Sequence, residues 1–354
     1  VPENFHTLRP SEKHKYFLDS DEVLQSLLFT QQIDKSYLLS LISLADFIKK
    51  HWEKPLFKSK LQALLSGYSC VLYFTQPSTR TFTSFSLAAQ SLGMVTEEIR
   101  DPNISSLYKG ESDIDSLLTM AYLSDLVVLR QGNASLIEEF ALEINKRGLK
   151  TRLINGGSGA DQHPTQSLLD VYTIISNLGI DKNTNDTYIV AMMGDLKHSR
   201  TVRSLSYILS MFNNVVQRFI APAEYQIGHD ILDHLDENSI NYEIEYKGGH
   251  FRDIDCLYVV RIQDEYHTKK HDPSHFSNFR LPLSLMSSIK DSAIILHPLP
   301  RREEIPFSVD VFPQAKYWEA VERGKFIRIA LILSMFDKEE EFWYKADTGD
   351  LFGP

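Results

Sequence analysis

Apolar residues recur along this chain in short runs separated by longer amphipathic stretches. Seven runs of four to six residues, at 70–74, 126–129, 151–154, 188–193, 216–220, 256–260 and 293–296, are rich in Val, Ile, Leu, Met and Tyr. They read as buried strands. Apolar positions fall at helical spacing before the first of them, at 35–50 and 58–65, and between most of them, as at 82–92. Strand alternating with helix predicts an α/β protein with two doubly wound parallel sheets joined by interdomain helices. The expected borders are a first domain over 1–163, an interdomain helix over 164–180 and a second domain over 181–324. A helix at 325–340 is expected to pack back on the first domain. A Gly-rich loop, Asn155-Gly156-Gly157-Ser158-Gly159, precedes the interdomain helix, and a polar run at 181–186 follows it. Residues 1–33 read as a surface helical prelude. Residues 338–354, acidic with aromatics, match no predicted element.

The 354 residues are 43% hydrophobic and 24% charged, enough to bury a sizeable core. No run approaches the roughly 20 apolar residues of a membrane span, and 1–10 lacks the basic and apolar regions of a signal peptide. The absent initiator Met suggests processing or trimming. Cys70 and Cys256 both lie in strand-like runs and read as buried thiols of a cytoplasmic protein. They offer no metal-ligand spacing. The net charge of −10 argues against nucleic acid as a partner, and an anionic substrate would need cations gathered locally from separate stretches.

Such cations and hydroxyls stand just past the predicted strands, where open α/β sheets bind ligands. Ser78-Thr79-Arg80-Thr81 follows the first run and opens a helix. Helix N-terminal N–H groups lack internal partners and carry partial positive charge, so with three hydroxyls and a guanidinium this stretch makes an anion pocket. An ordinary Ser/Thr helix cap is the competing reading. Arg130 closes the second run. His163-Pro164-Thr165-Gln166 follows the third, 194–201 (GDLKHSRT) the fourth, Arg261-Ile262-Gln263 a later one, and His297-Pro298-Leu299-Pro300-Arg301 the last. Packing alone would not place six polar sets at six strand ends.

In order along the chain, 77–81 (PSTRT), 109–111 (KGE), 163–170 (HPTQSLLD), 194–197 (GDLK), 200–202 (RTV), 261–263 (RIQ) and 297–301 (HPLPR) resemble the aspartate/ornithine carbamoyltransferase family. Pro298 where the ornithine branch carries Cys, and Arg261-x-Gln263, point to the aspartate branch. The resemblance implies that carbamoyl phosphate binds first in the first domain, and that the amine of an amino acid, L-aspartate, attacks its carbonyl carbon in pyrimidine biosynthesis. Neither cofactor nor metal nor covalent intermediate is implied. Ser78, Thr79, Arg80 and Thr81 would grip the phosphate, and Arg130 would reach phosphate and carbonyl oxygens. His163 would donate to the carbamoyl oxygen; with Arg80, Arg130 and Thr81 it forms the implied catalytic set. Gln166 and the carbonyl of Leu299, held by Pro298 and Pro300, would fix the carbamoyl NH2. Arg200 and Arg261 would take the carboxylates of aspartate with Gln263 beside them, and Lys109 and Leu299 would complete the amino-acid site. Ser105 and Lys109 would reach into a neighbouring subunit of a homotrimer. No membrane and no nucleic acid enter, and nothing in the chain specifies a regulatory subunit.

The pattern is broken in places. The family usually has Glu where Gln76 stands, Arg where Phe82 stands and Glu where Ser86 stands, and cations follow Gln263 where this chain has Asp264-Glu265-Tyr266. These changes leave open a different amine, such as ornithine or an N-acylated ornithine. They also leave open a catalytically silent trimer partner. A nucleotide-binding enzyme is disfavoured, since no Gly-x-Gly-x-x-Gly follows a strand.

Overall fold

The computed structural model describes residues 8–19, 22–100, 111–158, 162–182, 185–248, 251–263 and 279–352. The chain divides into two compact units: unit 1 holds 1–165 and 323–354, and unit 2 holds 166–322. Each is built on a five-stranded, all-parallel sheet flanked by helices.

The strands of unit 1 are β1 (Ser26–Leu27), β2 (Ser69–Phe74), β3 (Val95–Ile99), β4 (Leu126–Arg130) and β5 (Arg152–Asn155), in the spatial order β1-β5-β4-β2-β3. Its helices are α1 (Pro10–Lys13), α2 (Lys35–His51), α3 (Pro55–Gln62), α4 (Thr79–Ser91), α5 (Asp113–Leu123) and α6 (Ala134–Lys146). Helix α7 (Pro164–Leu178) starts in unit 1 and continues into unit 2. Unit 2 carries β6 (Tyr188–Met193), β7 (Val215–Ile220), β8 (Tyr242–Glu245), β9 (Cys256–Val259) and β10 (Ile294–Leu296), in the order β10-β9-β6-β7-β8, with α8 (Arg200–Leu209) and α9 (His229–Glu237). Helix α10 (Tyr317–Met335) returns the chain to unit 1, where α11 (Glu339–Asp347) follows.

All seven predicted strands form. The three that the pattern did not show are edge strands. β3 (VTEEI) and β8 (YEIE) border water on one side, so they carry charge in place of apolar runs. β1 is two residues long. It lies within the expected surface prelude, which is instead partly core: Phe17, Leu28 and Phe29 are buried against Leu136, Phe140 and Leu153. The expected helix over 325–340 also differs. It begins at Tyr317, stops at Met335 and gives way to α11 after Asp337, which takes a φ of +53°. Helix α11 places the tail: Phe342 and Trp343, with Phe352, pack on Phe47 of α2 at 5.2–6.2 Å between ring centroids. Cys70 and Cys256 are fully buried free thiols, and burial raises the pKa of both. No helix among the described residues is long and apolar enough to cross a membrane.

In unit 2 the guanidinium of Arg301 is forked onto Asp310, donates to Tyr317 Oη at 2.8 Å and stacks 4.4 Å from the Phe307 ring centroid. Arg301 is therefore a clasp of the fold. The hydrogen bonds from Arg301 hold the Asp310 carboxyl well below the usual carboxylate range. A carboxyl whose folded pKa is depressed stabilises above its unfolded pKa, and that contribution is lost as pH falls toward the folded value. Asp310→Asn is expected to cost about 1–2 kcal/mol at neutral pH and to flatten the loss of stability below roughly pH 4. Denaturant titrations from pH 7 to pH 3 check both.

Candidate active site

In unit 1 the chain leaves β2 for β3 on one side and returns to β4 on the other, so the topological switch point lies between β2 and β4. Three predicted sets meet there. Phe74 is the register partner of Arg130, and Leu129 that of Asn155, so β2, β4 and β5 end level with one another. The turn after β2 feeds α4 at Ser78. Ser78 occupies the N-cap position with extended backbone, yet its side chain makes no capping hydrogen bond. Helices α2, α5, α6 and α8 are capped by Asp34, Ser112, Asn133 and Ser199. The first turn of α4 thus keeps N–H groups for another acceptor. Thr79 and Arg80 on that turn are exposed, Ser78 is half-buried and Thr81 is buried.

Arg130 and His163 are both buried. Arg130 Nη1 donates to the Gly156 carbonyl at 3.1 Å, and His163 Nε2 lies 3.3 Å from Thr81 Oγ1. Gly157 separates the Arg130 and His163 side chains. It has a φ of +109°, and a Cβ built on it would stand 2.6 Å from Arg130 Nη1 and 3.1 Å from His163 Cδ2. The glycine loop is thus a requirement of close approach as well as of backbone conformation. Asn155 shapes it: Oδ1 accepts from Gly157 N at 2.8 Å while Nδ2 donates to Leu28 O and Ser158 Oγ. Gly159 lies outside the described residues. Gln76 sits beside the turn after β4, its Nε2 3.1 Å from a Cβ built on Gly132.

The buried guanidinium of Arg328, on α10, donates to Ser84 Oγ of α4 at 2.9 Å, to Thr165 Oγ1 at 3.2 Å and to the Gly324 carbonyl at 3.2 Å. It braces the helix that carries Thr81 and the residue two places beyond His163.

Unit 2 also has a switch point, between β6 and β9. Met193 partners Val259 and Leu296 partners Tyr258, so 194–200, 261–263 and 297–300 follow three adjacent strand ends. Asp195 is fully buried. Its Oδ1 accepts from His198 N at 3.3 Å and faces His198 Nδ1 at 2.9 Å, while Oδ2 accepts from Gln263 N at 3.1 Å. One carboxylate thereby ties the loop bearing Arg261 and Gln263 to the loop entering α8 at Arg200. Arg261 Nη1 donates to the Ile262 carbonyl at 2.8 Å. Leu299 has a φ of +57° before a cis bond to Pro300. Its N–H donates to His297 Nδ1 at 2.7 Å, and His297 Nε2 lies 2.8 Å from Glu304 Oε1. Burial works against ionisation of Glu304, but hydrogen bonds from His297 and the Arg302 N–H outweigh it and lower the carboxyl's pKa. Nδ1 accepts, so Nε2 carries the ring N–H, which donates to the Glu304 carboxylate.

Gln166 is oriented from within its own helix. Its Nε2 donates to both oxygens of buried Asp170, at 3.1 and 3.2 Å, which turns Oε1 the other way. Tyr258 Oη donates to Asp170 at 2.8 Å; burial first, and then the Asp170 charge, raise the Tyr258 pKa well above its ordinary value. The sequence reading missed these supports. Asp170 had a signal, standing four residues from Gln166 on one helix face. Arg328 and the Asp195–Gln263 tie had none, since those partners are remote in sequence, although His198 lies only three residues from Asp195. Ser105, Lys109, Asp264, Glu265 and Tyr266 lie outside the described residues.

Two family models cover most of the chain. The aspartate/ornithine carbamoyltransferase carbamoyl-P binding domain matches 25–176, and the Asp/Orn binding domain of the same family matches 186–335. The chain belongs to the aspartate/ornithine carbamoyltransferase family. An aspartate carbamoyltransferase catalytic subunit from Methanocaldococcus jannaschii is 35% identical over 323 residues, covering 90% of this chain and 99% of the relative. A solved catalytic subunit of M. jannaschii aspartate transcarbamoylase superposes with a TM-score of 0.77 at 33% identity, covering 89% of this chain and 99% of that one. Aspartate transcarbamoylase from Trypanosoma cruzi, solved with carbamoyl phosphate and aspartate, gives a TM-score of 0.75 at 29% identity, over 88% and 96% of the two chains. This carbamoyltransferase therefore shares the two-sheet fold of enzymes that hold those ligands.

Gly157→Ala tests the close approach at β5. The strained φ and the displaced Arg130 side chain should cost about 1–3 kcal/mol, measured by denaturant titration of the variant against the parent protein.

Proposed function

We propose that this carbamoyltransferase transfers the carbamoyl group of carbamoyl phosphate to the amine of L-aspartate, giving N-carbamoyl-L-aspartate and phosphate for pyrimidine biosynthesis. The observation that carries the reading is the unit 1 constellation: an uncapped helix start at Ser78–Thr81, with Arg130 and the Thr81–His163 pair gathered by Gly157 at a switch point. Unit 1 takes carbamoyl phosphate. Ser78, Thr79, Arg80 and Thr81 grip its phosphate through hydroxyls, helix N–H groups and a guanidinium. Arg130 bridges phosphate and carbonyl oxygens, and His163 donates to the carbamoyl oxygen.

The amine nitrogen attacks the carbonyl carbon. A C–N bond forms, the carbonyl oxygen gains charge and the C–O bond to phosphate then breaks. The amine's proton leaves with the phosphate, which departs as a dianion. Donors aimed at both oxygens strengthen as charge moves onto them, which lowers the barrier. Holding the two reactants together supplies a further several kcal/mol. The carbamoyl NH2 offers only donors, so it needs acceptors. Gln166 Oε1, turned outward by Asp170, is one, and the Leu299 carbonyl, presented beside Pro300, is the other.

Unit 2 takes aspartate. Arg200 and Arg261 match two carboxylates with forked donors, and Gln263 is held beside them by Asp195. Ser105 and Lys109 complete the site of a neighbouring protomer, so the active unit is a homotrimer. Two buried free cysteines fit work in the reducing cytoplasm.

With purified protein, aspartate is expected to turn over faster than ornithine or N-acetylornithine; the reverse order would reassign the amine. Arg80→Ala should lose carbamoyl phosphate binding, and His163→Ala should lower kcat by about 100-fold or more with binding retained. Shared sites predict complementation. Mixing separately impaired Lys109→Ala and His163→Ala trimers, then dissociating and reassembling them, should restore activity above that of either variant.

A further inference from the structure

Edge strand β3 runs beside β2 in parallel register, with Ile99 opposite Tyr73. Arg100 therefore follows at the level of Phe74, whose register partner on its other side is Arg130. With strands roughly 4.8 Å apart, the backbones of Arg100 and Arg130 stand about 10 Å from each other on either side of β2's last residue. The turn into α4 leaves from between them.

The Arg100 side chain is held toward α4. Its guanidinium lies 3.5 Å from the Phe82 ring centroid. Phe82 is buried on the first turn of α4 and packs edge-on against Phe74 at 5.2 Å. Glu98 supplies a second tether, accepting from Arg100 Nη2 at 3.1 Å and from Ser86 Oγ of α4 at 3.2 Å. The Arg100 side chain remains 61% exposed, and among the described residues no other hydrogen bond to its guanidinium is present. An exposed ion pair by itself stabilises a fold very little. A guanidinium laid on an aromatic face gains orientation while its remaining donors stay available. Arg100 also does what the sequence comparison could not foresee. Position 82 carries a ring in place of the family's cation, and a cation from the adjacent strand rests on that ring.

We propose that Arg100 is a positioning residue for the phosphate of carbamoyl phosphate, a second cation flanking the α4 start opposite Arg130, seated by Phe82 and moderated by Glu98. It draws the doubly charged donor to the Ser78–Thr81 turn through its field. This rests on the reading of unit 1 as the phosphate site.

The test is the dissociation constant of inorganic phosphate, measured by calorimetry on the intact protein at low and high ionic strength, with thermal unfolding as the check of folding. Arg100→Ala should weaken binding by roughly three- to tenfold at low salt, with the difference closing as salt is raised. Arg100→Lys should keep most of the affinity. Glu98→Gln should tighten binding, whereas a purely structural tether would move it in the same direction as Arg100→Ala. Arg100→Ala with unchanged affinity, or Glu98→Gln with unchanged or weaker binding, overturns the proposal. Arg80→Ala separates the two levels. If it abolishes phosphate binding while Arg100→Ala does nothing, only the role of Arg100 falls; if neither alters binding, the phosphate site itself is misplaced.

Discussion

A cation removed from water must be given partners, and in unit 1 that constraint sets the geometry on which the rest depends. The buried Arg328 guanidinium joins α10 to α4 through Ser84 and to the start of α7 through Thr165. Losing any one of these acceptors would leave part of a charged group unsolvated, at a cost of several kcal/mol. The contacts therefore hold together or fail together. What they fix is the relation between the first turn of α4 and the segment carrying His163, which is why Thr81 and His163 can meet at 3.3 Å. The apolar sheet brings the strand ends level; this polar tie decides where two of the chemically useful side chains stand.

Each unit then uses one design. Three adjacent parallel strands stop at the same height, and the loops beyond them carry the polar residues. In unit 1 glycine allows the approach of Arg130 and His163. In unit 2 carboxylates do the organising: Asp170 turns an amide, Asp195 joins two loops and Glu304 fixes a histidine ring. The chain's acidic balance is thus partly structural. Several of its carboxylates are spent orienting the groups that meet an anionic ligand.

Much of this was legible in the sequence because burial on both faces leaves a plain apolar run. That held for β2, β4, β5, β6, β7, β9 and β10, and for the polar residues just after most of them. The edge strands β3 and β8 escaped because half of their surface meets water, so Glu97, Glu98, Glu243 and Glu245 hide the alternation. Phe17 and Leu28 escaped because short 3-10 turns and a two-residue strand leave no period to read. The supporting residues escaped for a different reason. Arg328 and Ser84 lie 244 positions apart, and Arg152 bonds the carbonyl of Met335 from 183 positions away. A single sequence marks the residues rich in chemistry, but not the remote partners that aim them. Position 82 illustrates the limit: a lost cation at one place was visible, and its neighbour Arg100, coming from a strand that left no pattern, was not.

Unit 1 is discontinuous, its sheet formed by 1–165 and its last helices by 323–354. The apolar side chains of α10 from Phe326 to Leu333 are almost all buried within it, and Phe342 of α11 is too. On the ribosome, unit 1 is therefore begun before unit 2 and completed after it. Unit 2 has its whole sequence available while unit 1 still lacks the helices that cover its apolar surface. A nascent chain arrested near residue 322 would hold a finished second unit and an unfinished first one, with hydrophobic faces open to chaperones until residues 323–354 emerge.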